Sequence, residues 1–260
     1  MTVPTIVLLH GQPDSSASFW PLRRELRARI SPLVRIVAPD RPGYGANPLP
    51  ATDYAGNVRW LTRWLRKVNA GPIVLVGHSW AGGIAALMAA GETSPIAGLV
   101  LLASIGPSCL LRVDPVLAAP VVGDAIAYST LRIGRPLIGY KARQAIFSRL
   151  TPTERPYASA SGMAMRHRPV WRSFLTEQRA LVRDLPAINR SLVRIGVPTQ
   201  VIAGTNDATI PRITFDKLVQ AIPQSSRVNI LGGTHDLQLR RPADVAESVS
   251  LFARPLLGHL

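Results

Sequence analysis

The sequence predicts an α/β protein: an open, mostly parallel sheet of about six strands with flanking helices, and a helical insertion between the fourth and fifth strands. Three observations carry this. Short continuous apolar runs recur along the 260 residues, the signature of parallel strands buried on both faces. One run leads through a tight turn into an Ala-rich helical stretch. The residues able to do chemistry sit just past the ends of these runs, where open α/β sheets bind ligands.

The elements follow in order. Thr5 to Leu9 is the first apolar strand and runs into His10-Gly11-Gln12-Pro13. A second strand ends at Asp40, inside Asp40-Arg41-Pro42-Gly43-Tyr44-Gly45, which reads as a turn. Pro72 to Val76 is the third, and Ile84 to Ala90 is the helix behind it, so Ser79 in Gly77-His78-Ser79-Trp80-Ala81-Gly82 lies on a strand-to-helix turn. Such a turn strains the backbone of its central residue and crowds the neighbours, which must be small; Gly77 and Ala81 meet that demand. Leu99 to Ala103 is the fourth strand. Thr199 to Ala203 runs into Gly204-Thr205-Asn206-Asp207, and Arg227 to Leu231 into Gly232-Gly233-Thr234-His235.

A serine hydroxyl is a weak nucleophile near neutral pH and needs a base within hydrogen-bond reach, itself oriented by a third group. Ser79, His235 and Asp207 are the candidates, and their chain order of nucleophile, acid and base suits an arrangement built on strand ends. Asp236 is the next acid to consider, Asp40 suits a turn, and no acid follows Leu99 to Ala103. A tetrahedral oxyanion needs preorganised N–H donors. Pro13 has none to offer, so the Gln12 N–H is the donor at the first strand end and the Trp80 N–H, just after the nucleophile, is the second. His10, His78 and Tyr44 read as scaffold. The Trp80 indole either borders the pocket or packs in the core.

Together, H-G-Q-P, D-R-P-G-Y-G, G-H-S-W-A-G, G-T-N-D-A-T-I-P and G-G-T-H resemble the α/β-hydrolase superfamily and span residues 10 to 235. The resemblance implies the α/β-hydrolase fold with a lid inserted in the core, and no cofactor or metal. It implies no particular substrate. Ala81 departs from the usual second glycine of the turn. H-G-x-P and G-H-x-W are similar to epoxide hydrolases and haloalkane dehalogenases, but those use an aspartate where this chain has Ser79. That departure points toward esterases, lactonases, carbon-carbon bond hydrolases and cofactor-free haloperoxidase-like enzymes. Two enzyme classes follow: a serine hydrolase acting by acyl transfer on a small to medium carboxylic ester or related carbonyl compound, and a non-hydrolytic lyase or haloperoxidase-like member of the same fold. A basic binding module is a third class, and a strained nucleophile argues against it.

Residues 106–192 break the alternating pattern. Pro107, Pro115, Pro120, Pro136, Pro152, Pro156, Pro169 and Pro186 punctuate helical fragments such as Tyr140 to Leu150 and Pro169 to Leu181. This is the expected helical lid, inserted between core segments 1–105 and 193–260. The segment is too short for a sizeable core of its own and is expected to pack over the sheet's carboxyl edge; its apolar side chains, among them Leu110, Leu111, Val116, Leu117, Val121, Val122, Ile126, Tyr128, Leu131, Met163, Met165 and Trp171, read as lid packing, with lining of the acyl or leaving-group pocket as the alternative.

Charge points elsewhere at first sight. The chain carries 30 Lys plus Arg against 15 Asp plus Glu, a net +15. Its basic residues are 27 Arg and 3 Lys, they are scattered, and no nucleic-acid motif accompanies them. Arg143, Arg149, Arg166, Arg168 and Arg172, with Arg41 and Arg240-Arg241, are therefore expected on a solvated surface. The expected partner is a small-molecule substrate, with no nucleic acid. No apolar stretch reaches the roughly 18 residues of a membrane span, so no stable membrane insertion is expected. The brief apolar start lacks a charged leader, and Cys109, the single cysteine, permits no internal disulfide; the expectation is a cytoplasmic enzyme.

Overall fold

Strands form where the apolar runs lie. A computed structural model describes residues 2–91, 95–129 and 170–258. The first part of the chain gives β1 (Val3–Leu9), α1 (Trp20–Arg27), β2 (Arg35–Val37), α2 (Tyr54–Lys67), β3 (Ala70–His78), α3 (Ala81–Ala89) and β4 (Ile96–Leu102). Helices α4 (Asp114–Ala118), α5 (Val122–Tyr128) and α6 (Val170–Ser191) follow. The chain then continues through β5 (Thr199–Gly204), α7 (Arg212–Ala221), β6 (Ser225–Ile230), α8 (Leu237–Arg240) and α9 (Pro242–Leu257). The expected fragment Tyr140 to Leu150, the apolar Leu131, Met163 and Met165, and the basic Arg143, Arg149, Arg166 and Arg168 lie outside the described residues.

The six strands form one sheet in the order β2-β1-β3-β4-β5-β6, and every pairing is parallel. Alternate side chains feed two apolar layers. Ile6, Leu8, Val74, Val76, Val100 and Leu102 face α1 and α9, while Val7, Leu9, Leu75, Leu99 and Leu101 face α2, α3 and α6. Burial on both faces is why the central strands read as unbroken apolar runs rather than alternating ones.

Strand order reverses between β1 and β3, which makes the crevice outside their carboxyl ends the place for a ligand. Register sets what meets there. Leu9 pairs with Gly77, so the His10-Gly11 loop emerges beside His78 and Ser79. His78 pairs with Leu102, and Gly204 pairs with Ile230, which starts the loops carrying Asp207 and His235 from neighbouring positions.

Two expectations are corrected between β4 and β5. Helix α6 does not stop at Leu181 but runs to Ser191 with Pro186 inside it, because its buried stripe, Leu181, Leu185 and Ile188, continues against the core. On and beside the short helices α4 and α5, Val116, Val121 and Val122 are not packed in the lid either: they are 46%, 78% and 49% exposed. Helices of one to two turns present only a narrow inward stripe, so neighbouring apolar side chains fall outside it.

The turn between β3 and α3 tolerates no extra atom. A Cβ built at Gly77 would lie 2.7 Å from the Ala81 carbonyl oxygen and 2.8 Å from the Ala85 Cβ. Both neighbours are held by α3. Gly77→Ala is therefore expected to cost about 1–3 kcal/mol through overpacking, read as a lower Tm in a thermal melt. An unchanged Tm would show that the turn relaxes freely.

Candidate active site

Ser79 sits at φ 54°, in the left-handed region that a non-glycine residue enters only under constraint. Its surroundings supply that constraint. The Ser79 N–H donates to the Leu102 carbonyl at 3.0 Å, while its own carbonyl accepts from the N–H groups of Gly82 and Ile105 at 2.9 and 3.2 Å. The hydroxyl is thereby aimed out of the sheet's carboxyl end.

The loops after β5 and β6 are tied to each other before they reach the site. The N–H groups of Thr205 and Asn206 donate to the carbonyls of Ile230 and Gly233 at 3.1 and 2.8 Å, and the Gly232 N–H donates to the Thr205 hydroxyl at 2.8 Å. Held this way, His235 Nε2 lies 2.9 Å from Ser79 Oγ and His235 Nδ1 lies 3.0 Å from Asp207 Oδ2. The other Asp207 oxygen accepts from the Thr209 and Ile210 N–H groups at 2.8 and 2.9 Å. Burial alone would raise the Asp207 pKa; the hydrogen bond and charge of His235, with these two N–H donors, outweigh it and hold the carboxyl below its ordinary value. An ionised Asp207 can only accept, so Nδ1 carries a proton in either form of the ring, and in the neutral ring Nε2 is left to accept from Ser79.

The other acids and histidines do different work. Asp40 accepts from the N–H groups of Ser16 and Ala46 at 2.7 and 2.8 Å, a loop-bracing role, and Asp236 is exposed at the start of α8. His10 is fully buried and accepts from the Arg41 N–H at 3.0 Å through Nε2. His78 Nε2 donates to the His235 carbonyl at 3.1 Å.

Gly11 brings the first loop against the hydroxyl-bearing residue: a Cβ built there would come within 2.9 Å of the Ser79 Cβ. The Gln12 side chain donates from Nε2 to Gln178 Oε1 at 3.0 Å, and Gln178 Nε2 donates to Asp114 at 2.8 Å. The Trp80 indole takes the core option. It is fully buried, stacked on Tyr54 at 4.0 Å between ring centres, and its N–H donates to the Glu177 carbonyl at 3.1 Å.

Arg41 is the clear correction. Its side chain, expected in solvent, is fully buried and ion-paired with Glu177 of α6; it also donates from Nε to the His10 carbonyl at 2.7 Å and from Nη2 to the Gly11 carbonyl at 2.8 Å. The reason is the turn it occupies, which delivers the guanidinium beneath the first loop, where two carbonyls and the Glu177 carboxylate take its N–H groups and the Tyr44 and Trp80 rings flank it. Arg240 does lie in solvent, and Arg241 pairs with Asp244 at 2.6 Å. Glu177 and Gln178 were not singled out in the sequence. One signal was available: Glu177 occupies the stripe Ser173-Glu177-Leu181 at i, i+4 spacing, where a carboxylate among buried positions demands a cation.

The chain belongs to the alpha/beta hydrolase family, whose sequence profile matches residues 6–248. It is thereby an enzyme of the α/β-hydrolase class. It is 33% identical over 106 residues to a haloalkane dehalogenase of Mesorhizobium japonicum, a match covering 40% of this chain and 33% of that one. An uncharacterized protein of Mycobacterium tuberculosis is 25% identical over 253 residues, 89% of this chain and 69% of its own length. The solved structure of an esterase from Exiguobacterium antarcticum superposes with a TM-score of 0.76 at 20% identity, covering 97% of this chain and 92% of that one, and so shares the fold.

Burial, and next the charge of His235, push the His78 pKa down to about 3. The unfolded chain takes up this proton near pH 6.5 and the folded one only near pH 3, so within that window the unfolded state binds more protons and stability falls as pH falls. Denaturant melts across the window should show a shallower pH slope for His78→Asn than for the wild type, the difference approaching about 1.4 kcal/mol per pH unit. Identical slopes would mean that His78 is protonated in the folded protein.

Proposed function

We propose that the protein is a serine hydrolase acting by acyl transfer on a small to medium carboxylic ester or related carbonyl compound. The observation that carries this is the continuous chain from Ser79 Oγ through His235 to Asp207, at 2.9 and 3.0 Å, with Ser79 on a left-handed turn.

In this reading Ser79 Oγ attacks the carbonyl carbon while His235 Nε2 takes its proton. The tetrahedral oxyanion is held by the Gln12 and Trp80 N–H groups. Collapse expels the alkoxide, which takes from His235 the proton that came from Ser79, and leaves an acyl ester on Ser79. Water then attacks that ester as His235 removes one of its protons, and the second collapse returns this proton to Ser79 Oγ and frees the acid. Asp207 stays ionised throughout, orienting His235 and stabilising its charged form.

We assign residues 106–192 as the lid over this site. The bonds of Glu177 and Gln178 to the loop and turn residues Arg41 and Gln12 support the assignment. No helix among the described residues is long and apolar enough to cross a membrane. A buried lone Cys109 thiol, pushed up to about 11 by burial, suits the reducing cytoplasm that we propose for the enzyme.

Two tests address the assignment. A fluorophosphonate is expected to label Ser79, with Ser79→Ala abolishing turnover of p-nitrophenyl esters; an adduct mapped by mass spectrometry to another serine would sink it. Asp207→Asn, which places the wrong histidine tautomer before Ser79, is expected to keep the fold and lower kcat by up to about 10⁴-fold. Near-wild-type kcat in a folded Asp207→Asn protein would pass the orienting role to another acid, Asp236 first.

A further inference from the structure

The buried ion pair between Arg41 and Glu177 lies next to the proposed reacting centre without touching it. Arg41 Nε and Nη2 hold the His10 and Gly11 carbonyls at 2.7 and 2.8 Å, and its charge is maintained because the Glu177 carboxylate more than offsets the penalty of burial. Glu177 is itself braced by the Tyr44 hydroxyl, which donates to Oε2 at 2.8 Å. The two cis peptides among the described residues are Gln12-Pro13 and Gly71-Pro72, so the Gly11-Gln12 peptide is trans. In a planar trans peptide the C=O and the N–H point in opposite directions. Arg41 Nη2 and His10 Nδ1, at 2.8 and 2.9 Å, both donate to the Gly11 carbonyl, and Arg41 also ties His10 itself through its backbone N–H; fixing that carbonyl fixes the direction of the Gln12 N–H, and Gly11 is the residue packed against Ser79.

The same helix also holds the other proposed donor. The Glu177 carbonyl accepts from the Trp80 indole at 3.1 Å, and the Arg41 guanidinium lies 4.8 Å from the centre of that ring. One residue of α6 thus braces both the loop that carries Gln12 and the side chain of Trp80.

We propose that Arg41 is a positioning residue for the oxyanion donor: its grip on the Gly11 carbonyl sets the Gln12 N–H, and Glu177 locks the guanidinium in place, so that seating α6 on the core also completes the oxyanion hole. This rests on the reading of Ser79 as nucleophile and of the Gln12 N–H as donor. A hole whose donor is free to rotate must be reorganised at every turnover, and losing one such donor costs about 10²–10³ in kcat. A donor that is misaligned rather than lost should cost less, about 10–10²-fold.

The experiment compares Arg41→Lys, Arg41→Met and the double variant Arg41→Met/Glu177→Met for kcat and KM on one p-nitrophenyl ester, for the Ki of a trifluoromethyl ketone whose hemiketal oxyanion occupies the hole, and for Tm. The double variant matters because replacing both members of a buried ion pair with apolar residues is often tolerated, whereas removing one leaves a charge unpaired. Folded variants should lose about 10–10²-fold in kcat with KM little changed, and the ketone should weaken by the same factor. A folded double variant with wild-type kcat and Ki would reduce Arg41 to a structural brace and overturn the proposal. If neither methionine protein folds, Arg41→Lys decides: lysine keeps the charge for Glu177 but gathers its donors on one nitrogen, without the planar fork that spans Glu177 and the His10 and Gly11 carbonyls from separate atoms, and wild-type kcat with lysine would equally overturn it. Failure of the underlying reading has a separate signature, since the wild-type protein would then not be labelled at Ser79.

Discussion

Everything at the carboxyl edge of the sheet depends on one strained turn. Ser79 can hold φ 54° because three backbone hydrogen bonds, from and to Leu102, Gly82 and Ile105, fix it from both sides. The sheet register then brings the other loops to it. Leu9 opposite Gly77 places the first loop against the serine, and Gly204 opposite Ile230 starts the Asp207 and His235 loops together. Left-handed backbone at a residue with a side chain costs on the order of 1–3 kcal/mol and persists only where surrounding structure over-determines it. The two apolar layers on either face of the sheet are that surrounding structure.

A second constraint links the inserted segment to the sheet. Taking Arg41 and Glu177 fully out of water costs several kcal/mol per ion, and a buried pair is weak evidence for stability by itself. What distinguishes this pair is where its remaining hydrogen bonds go: to the His10 and Gly11 carbonyls on one side and to Tyr44 on the other. The charge is spent on geometry. An apolar pair of similar volume could fill the same space but could not orient a peptide.

A longer polar relay runs beside it. Asp114 accepts from Gln178, and Gln178 accepts from Gln12, so a carboxylate on the short helix α4 dictates which way each amide faces along the row. Arg179 on the next residue of α6 donates to the Ala118 carbonyl at 3.2 Å and to Asp124 at 2.7 Å. Helices too short to bury much surface are thus held to α6 by polar contacts, which fits the exposure of their apolar side chains.

The sequence by itself determined the central strands, because burial on both faces forces unbroken apolar runs, and it determined the strand-end placement of Ser79, Asp207 and His235, because each follows a strand through a glycine-bearing turn. It also singled out the Gln12 loop, through the missing N–H of Pro13. Only the tertiary structure decided how these parts meet. The 2.9 and 3.0 Å contacts depend on register between strands far apart in sequence, and register is a property of pairing rather than of any one run. Arg41 shows the same limit: its turn motif was legible, but its burial was not, since the carboxylate that neutralises it lies 136 positions away on helix α6. Charge on a side chain states what partner it needs, and only the fold states whether that partner is water or Glu177.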